Sequence, residues 1–337
     1  MNFKTMRLLA GCVPMSLTLA AAIASTALSA QGAPQAPSPE FMAQMRAQEE
    51  RFNAMPDTPG TGAFPAVKEE VPSLPRHVVY RPADLSKVGP HQLGILVWGN
   101  GGCQADGAGS RLHLLQIASH GYVAIAPGTI RNGPGAPPQP PMPMPKPGEP
   151  MTLPPAATTA EQVDAGIDWA IRQNDTPTSP YYGKIDTRAV AVSGWSCGGI
   201  QALKIATTDP RIRAVIIHNS GIFNGPSAMK DMDIGKATLD RLRTPILYVL
   251  GGPRDIAYAN GMDDYARITR VPAMVANLAK DHGGTFTEPN GGLAALAAVA
   301  WLDWQLKGDA RAAHWFTGAD CVMCTDPAWT MQRKGIR

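Results

Sequence analysis

The sequence predicts an α/β domain, a mostly parallel central sheet with helices on both faces. Three observations carry that expectation. The stretches "HVVY", "LGILVWG", "YVAIAPG", "RAVAVSG", "RAVIIHNSG", "PILYVLGG" and "PAMVANLA" are short, near-continuous apolar runs, as expected of strands buried on both faces. Helix-compatible segments such as "AEQVDAGIDWAIRQ" and "LAALAAVAWLDWQLKG" separate them, which is the alternation of crossover units. With 44% hydrophobic and 17% charged residues among 337, the chain has the apolar content to fill the core of such a sheet.

Ahead of the first apolar run the composition changes twice. Residues 1–30 place Lys4 and Arg7 before "LLAGCVPMSLTLAAAIASTALSA", a basic start, an apolar stretch and small residues at the end, which reads as a signal peptide cleaved near Ser29 or Ala30. Export to the periplasm or the medium is the consequence, with no membrane association after cleavage; the alternatives are an uncleaved membrane anchor and a lipoprotein box at Cys12, the latter with few apolar residues between Arg7 and Cys12. Residues 31–74 are rich in Pro, Ala, Gln and Glu and read as a linker with one short helix, "PEFMAQMRAQEERFNAM". A single folded domain then spans 75–337. It is interrupted at 134–155, where eleven prolines in 22 residues can neither join a sheet ladder nor continue a helix, so this insertion leaves the core as an extended loop. Residues 1–30 carry only those two basic charges, so their removal lowers the formal charge from +3 to +1. A chain so nearly neutral has no electrostatic hold on nucleic acid.

The richest stretch is "AVSGWSCGGIQAL", residues 191–203. Gly194-Trp195-Ser196-Cys197-Gly198 matches G-x-S-x-G, the strand-to-helix elbow that exposes a serine in α/β hydrolases, and it lies between a strand-like and a helix-like segment as that motif requires. Bulky side chains at Gly194 and Gly198 would collide with the neighbouring helix and strand. A serine so placed needs a base and an acid. "PILYVLGGPRDIAY" supplies Asp255 directly after an apolar run, and "VPAMVANLAKDHGGTF" supplies His282 after the next. The chain order Ser, Asp, His is that of the same fold. Among the other histidines, His113 and His120 flank an expected surface helix, His314 lies in the tail, and His77 and His91 precede the elbow. His218 is the one competitor, and we expect it, with Trp195 and Asn219, to line the pocket. The remaining requirement is a pair of amides for a developing oxyanion. Cys197, after the serine, supplies one, and the Gly-rich loop "GNGGC" supplies the other through Asn100 or, second, Gly101.

From about residue 75 to 306 the chain resembles the α/β-hydrolase serine esterases, in the neighbourhood of dienelactone hydrolases, platelet-activating-factor acetylhydrolases and bacterial cutinase-like polyester hydrolases. "GWSCGG" is similar to the "GWSMGG" elbow of the polyester hydrolases, and "RDIAY" resembles their acid loop. The resemblance implies an α/β-hydrolase fold, Ser196 as nucleophile, His282 as base, Asp255 as its orienter, a small-molecule ester substrate and no cofactor or metal. The same residues would serve an amidase or peptidase. A catalytically dead binding module would be expected to have lost one of them. Two departures bear on substrate: the polyester hydrolases carry aromatics where this chain has Asn100 and the run His218–Gly221, so an aromatic clamp for polymer is not expected.

Four cysteines remain after signal cleavage, Cys103, Cys197, Cys321 and Cys324, an even number that suits an oxidising compartment and allows three pairings. Cys321-x-x-Cys324 alone falls short of the four ligands of a zinc site. In a hydrolase the oxyanion loop and the elbow must meet. Cys103–Cys197 and Cys321–Cys324 are therefore the expected pairs.

Overall fold

Among the residues described by the computed structural model (39–138, 155–225 and 234–336), nine strands form one sheet. They are β1 (Ala66–Glu70), β2 (His77–Pro82), β3 (Leu93–Gly99), β4 (Tyr122–Pro127), β5 (Ile185–Trp195), β6 (Ala214–His218), β7 (Ile246–Leu250), β8 (Ala273–Leu278) and β9 (Trp329–Lys334). Their order across the sheet is β1-β2-β4-β3-β5-β6-β7-β8-β9. The six strands from β4 to β8 run parallel, while β1, β2 and β9 pair antiparallel at the two edges. The predicted class, a mostly parallel sheet with helices on both faces, holds.

Strand periodicity divides the core in two. Ile95, Val97, Val190, Val192, Val215, Ile217 and Tyr248 point to one face, where α3 (Ala160–Asp175), α4 (Cys197–Thr208) and α5 (Tyr258–Arg267) cover them with Val163, Ile167, Leu203 and Tyr265. Leu96, Trp98, Ala191, Ile216, Leu247 and Met274 point to the other, under α2 (Arg111–Ser119) and α6 (Gly292–Lys307). Strands β3, β4, β6 and β7 are buried at every position, which is why they read as unbroken apolar runs. Helix α3 begins in a capping box: Thr159 Oγ1 accepts from Gln162 N, and the Gln162 side chain accepts from Thr159 N.

Two expectations need correction. The helix expected on the surface, α2, is buried along all nine residues, His113 included. Its polar side chains do not face water. Apart from His113, which packs against the sheet, they face the segment before β1: Gln116 Nε2 donates to Thr61 Oγ1 (2.6 Å), and Gly62 N donates to Ser119 Oγ (3.0 Å). The guanidinium of Arg111 meets Asp57 and the carbonyls of Phe52 and Met55. The second correction follows, because the stretch 31–74 read as linker contains β1 and, from α1 (Pro39–Ala54) onward, belongs to the same compact unit as the sheet. Every described residue belongs to that unit, and residues 31–38 lie outside the described ones. So do the signal peptide read at 1–30 and residues 139–154 of the proline-rich insertion. Among the described residues no helix is long and apolar enough to cross a membrane.

Candidate active site

Because β5, β6, β7 and β8 are parallel neighbours in register, their C-terminal ends open at one rim. The loop after each strand therefore lands beside the others. Ser196 occupies the turn between β5 and α4 with φ 54° and ψ −124°, a conformation that costs a non-glycine residue about 1–3 kcal/mol. The surroundings hold it there. Ser196 N donates to His218 O (3.0 Å), and Ser196 O accepts from Ser220 Oγ (2.6 Å) and Gly199 N (2.9 Å). Space at the turn is minimal: a Cβ on Gly194 would stand 2.3 Å from Gly198 O, and one on Gly198 would stand 2.0 Å from Gly99 C. No side chain larger than hydrogen fits at either position.

After β7 the chain turns through Gly251 and Gly252 to Asp255; after β8 it turns at Asp281 (φ 53°) to His282. His282 Nε2 lies 2.9 Å from Ser196 Oγ, and His282 Nδ1 lies 2.6 Å from Asp255 Oδ1. An ionised carboxylate only accepts, so the proton on this histidine belongs on Nδ1, and Nε2 is left to accept from the serine hydroxyl. The Asp255 side chain is fully buried, and burial pushes its pKa up. Hydrogen bonds from His282, Ala257 N and Gly251 N outweigh that push and hold it below the usual carboxylate value.

Asn219, expected in the pocket, is instead buried behind this array. Its Nδ2 donates to Asp255 Oδ2 (3.0 Å) and to Asp281 O (2.9 Å), so one side chain joins the acid loop to the histidine loop. His218 also leaves the pocket. Ala214, Ile216 and His218 share the sheet face beneath α2 and α6, and the His218 ring is wholly buried among Trp98, His113 and Phe286, with centroid separations of 5.7, 4.8 and 5.6 Å. Only its carbonyl serves the elbow. Trp195 is half-buried, donates Nε1–H to His282 O (3.0 Å) and lays its indole over Gly101, where a Cβ would come within 2.2 Å of the ring. Ile256, next to Asp255, is 80% exposed and gives this rim an apolar side chain.

The Gly-rich loop packs directly on the elbow. Asn100 N lies 2.5 Å from where a Cβ on Gly198 would stand, and the Asn100 side chain is spent on the loop itself, donating to Gln104 O (2.9 Å) and Pro127 O (2.7 Å). Cys103 and Cys197 form a disulfide with Cα atoms 5.3 Å apart, and Cys321 and Cys324 form a second. Helix α4 starts at Cys197, so the positive end of its dipole points toward the serine. Two contributors escaped the sequence reading. Ser220 and the Arg254–Asp281 ion pair (2.9 Å), which bridges the acid and histidine loops, lie in turns with no motif to mark them. Among the described residues no group of three or more His, Cys, Asp or Glu is arranged to hold a metal ion.

A serine held in a strained strand-to-helix turn, against an imidazole and a buried carboxylate at the C-terminal rim of a parallel sheet, defines the hydrolase class. The profile of the PETase family, described as PET hydrolase-like, matches residues 151–322, and the chain belongs to this family of α/β hydrolases. It is a carboxylic ester hydrolase of the serine type. No curated protein matches the chain.

Proposed function

We propose that the protein cleaves small-molecule carboxylic esters through Ser196, His282 and Asp255 by way of an acyl-enzyme. The observation that carries this reading is the unbroken connection from Ser196 Oγ through the imidazole to the buried carboxylate, 2.9 and 2.6 Å per link. His282 Nε2 takes the hydroxyl proton as Oγ attacks the ester carbonyl. The amides of Cys197 and Asn100 receive the oxyanion, and Asp255 stabilises the imidazolium that forms. The imidazolium then returns its proton to the departing alcohol. Water repeats the cycle on the acyl-enzyme, and no step calls for a cofactor.

The residue-1–30 reading and the two disulfides together support a secreted or periplasmic enzyme, since such bonds persist in oxidising compartments. Ser196→Ala is the direct test. Turnover of p-nitrophenyl esters is expected to fall by about 10³-fold or more, with labelling by a fluorophosphonate probe abolished. Near wild-type turnover in that variant would remove Ser196 from the mechanism. A series of esters of graded acyl length would then define the substrate class.

A further inference from the structure

The loop that carries Asn100 has few ties to the elbow it must face. Its Gly101–Cys103 turn runs through Gly102 (φ 60°) and Cys103 (φ 50°), both in the left-handed region. Its hydrogen bonds lead elsewhere. Asn100 Nδ2 reaches Gln104 O and Pro127 O, Gln104 Nε2 reaches back to Gly102 O, and Cys103 O accepts from Ala157 N, Thr158 N and Thr158 Oγ1. Among the described residues the loop meets the elbow and its helix by packing against Gly198, Trp195 and Ile200, indirectly through Thr158, whose carbonyl accepts from Gln201 Nε2, and by one covalent bond.

We infer that the Cys103–Cys197 disulfide is a positioning device for the oxyanion site, locking the loop that presents Asn100 N against the residue that presents Cys197 N. The inference rests on the reading of Ser196 as nucleophile given above. Cys197 then has two duties, its amide facing the oxyanion and its side chain holding the opposite wall. The bond is buried, with Ile200, Ala156, Phe223 and Ile234 packed around it. Preorganised donors stabilise a transition state only if they are already in place when charge develops. A tether across the two donors supplies that condition at a turn made of glycines. The other disulfide, Cys321–Cys324, spans three residues beside β9 and touches neither loop. It is an internal control.

The test compares the Cys103→Ala/Cys197→Ala and Cys321→Ala/Cys324→Ala double variants with the wild-type chain. In the first, kcat on p-nitrophenyl esters is expected to drop by about 10- to 100-fold with KM within roughly twofold, the scale of a misplaced catalytic group. A trifluoromethyl ketone, which adds to the serine to give a hemiketal oxyanion, is expected to bind that variant more weakly by a similar factor. The product alcohol, which carries no oxyanion, is expected to bind as before. The second variant is expected to keep both values. Undiminished kcat in the first variant, or equal weakening of ketone and alcohol, would overturn the proposal. If that variant does not fold, the wild-type chain is reduced with a phosphine, which leaves as its oxide with oxygen from water while each sulfur gains a hydrogen. Activity is then expected to fall with the fraction of Cys103 and Cys197 thiols mapped by alkylation, and to return on reoxidation. Activity independent of that fraction overturns the tether. A wild-type protein that neither turns over ester nor takes the fluorophosphonate would overturn both this inference and the nucleophile reading, a result distinct from each of the others.

Discussion

Asn219 is held at φ 44°, a conformation that asparagine tolerates better than most residues, and from there one amide group braces two loops. Asn219→Ala removes a donor from Asp255 Oδ2 and frees the backbone just ahead of His282. We expect kcat to fall by roughly 10- to 100-fold with little change in KM, because what is lost is alignment rather than substrate contact. A change confined to KM would place Asn219 in the binding pocket after all. His113 makes a different case. Its ring is fully buried with both nitrogens unpartnered, and burial pushes its pKa down to about 3. Burial, with the neighbouring His113, lowers His218 likewise. Such a group binds its proton more readily in the unfolded chain, so stability is intact above about pH 6.5 and is lost as pH falls toward 3. Each pH unit in that window costs about 1.4 kcal/mol for the His113 ring. His113→Leu is therefore expected to flatten the decline of the urea midpoint between pH 6 and 4, and parallel curves for the two proteins would mean that the ring is solvated when folded. Strand parity decides where His218 points. Counting by twos from Ala214 places residue 218 with Ile216 on the α2 face, whereas strand position alone left it free to enter the pocket.

The end of β3 lies in close contact with the first turn of α4. Gly99 and Gly198 face each other there, and a Cβ on either would intrude to within 2.3 Å of the other's backbone. Neither obstruction is the end of a flexible side chain, so Gly198→Ala must push the β3–α2 loop, and Asn100 with it, away from Ser196. Ester turnover is expected to fall by about 10²-fold or more even in variant protein whose circular dichroism shows it folded; a folded and fully active Gly198→Ala protein would contradict the close approach. This contact was legible in the sequence because a steric requirement leaves glycine as its only solution. The same holds for β3, β4, β6 and β7, whose two buried faces leave unbroken apolar runs. Edge strands leave no such mark. Ala66–Glu70 reads "AVKEE" and Trp329–Lys334 reads "WTMQRK", each half-exposed and charged, as edges that resist further pairing tend to be. The burial of α2 is illegible for a related reason: its Arg111, Gln116 and Ser119 hydrogen-bond to residues 52–64, a tertiary match that no helical period encodes.

At the scale of the whole molecule the two disulfides constrain very different lengths of chain. Cys103–Cys197 closes a loop of 94 residues that includes β4, α3, β5 and the proline-rich insertion, whereas Cys321–Cys324 closes one of three. In the chain-entropy account the first removes unfolded-state freedom equivalent to roughly 4–5 kcal/mol and the second to about 2 kcal/mol. For a domain of this size that difference corresponds to melting-point losses of roughly 7–10 °C and 2–4 °C when the respective pair is replaced by alanine. Thermal unfolding of the two double variants under non-oxidising conditions checks the ranking, and equal losses would show that the long loop stays compact when unfolded. The same bond thus ties the turn after β3 to α4, as a limit on the denatured chain and, in the proposal above, as a wall of the oxyanion site. These roles separate by temperature. Well below the melting point, where either variant is folded, stability no longer distinguishes them, so a lower kcat confined to the Cys103→Ala/Cys197→Ala protein has to come from the geometry around Ser196.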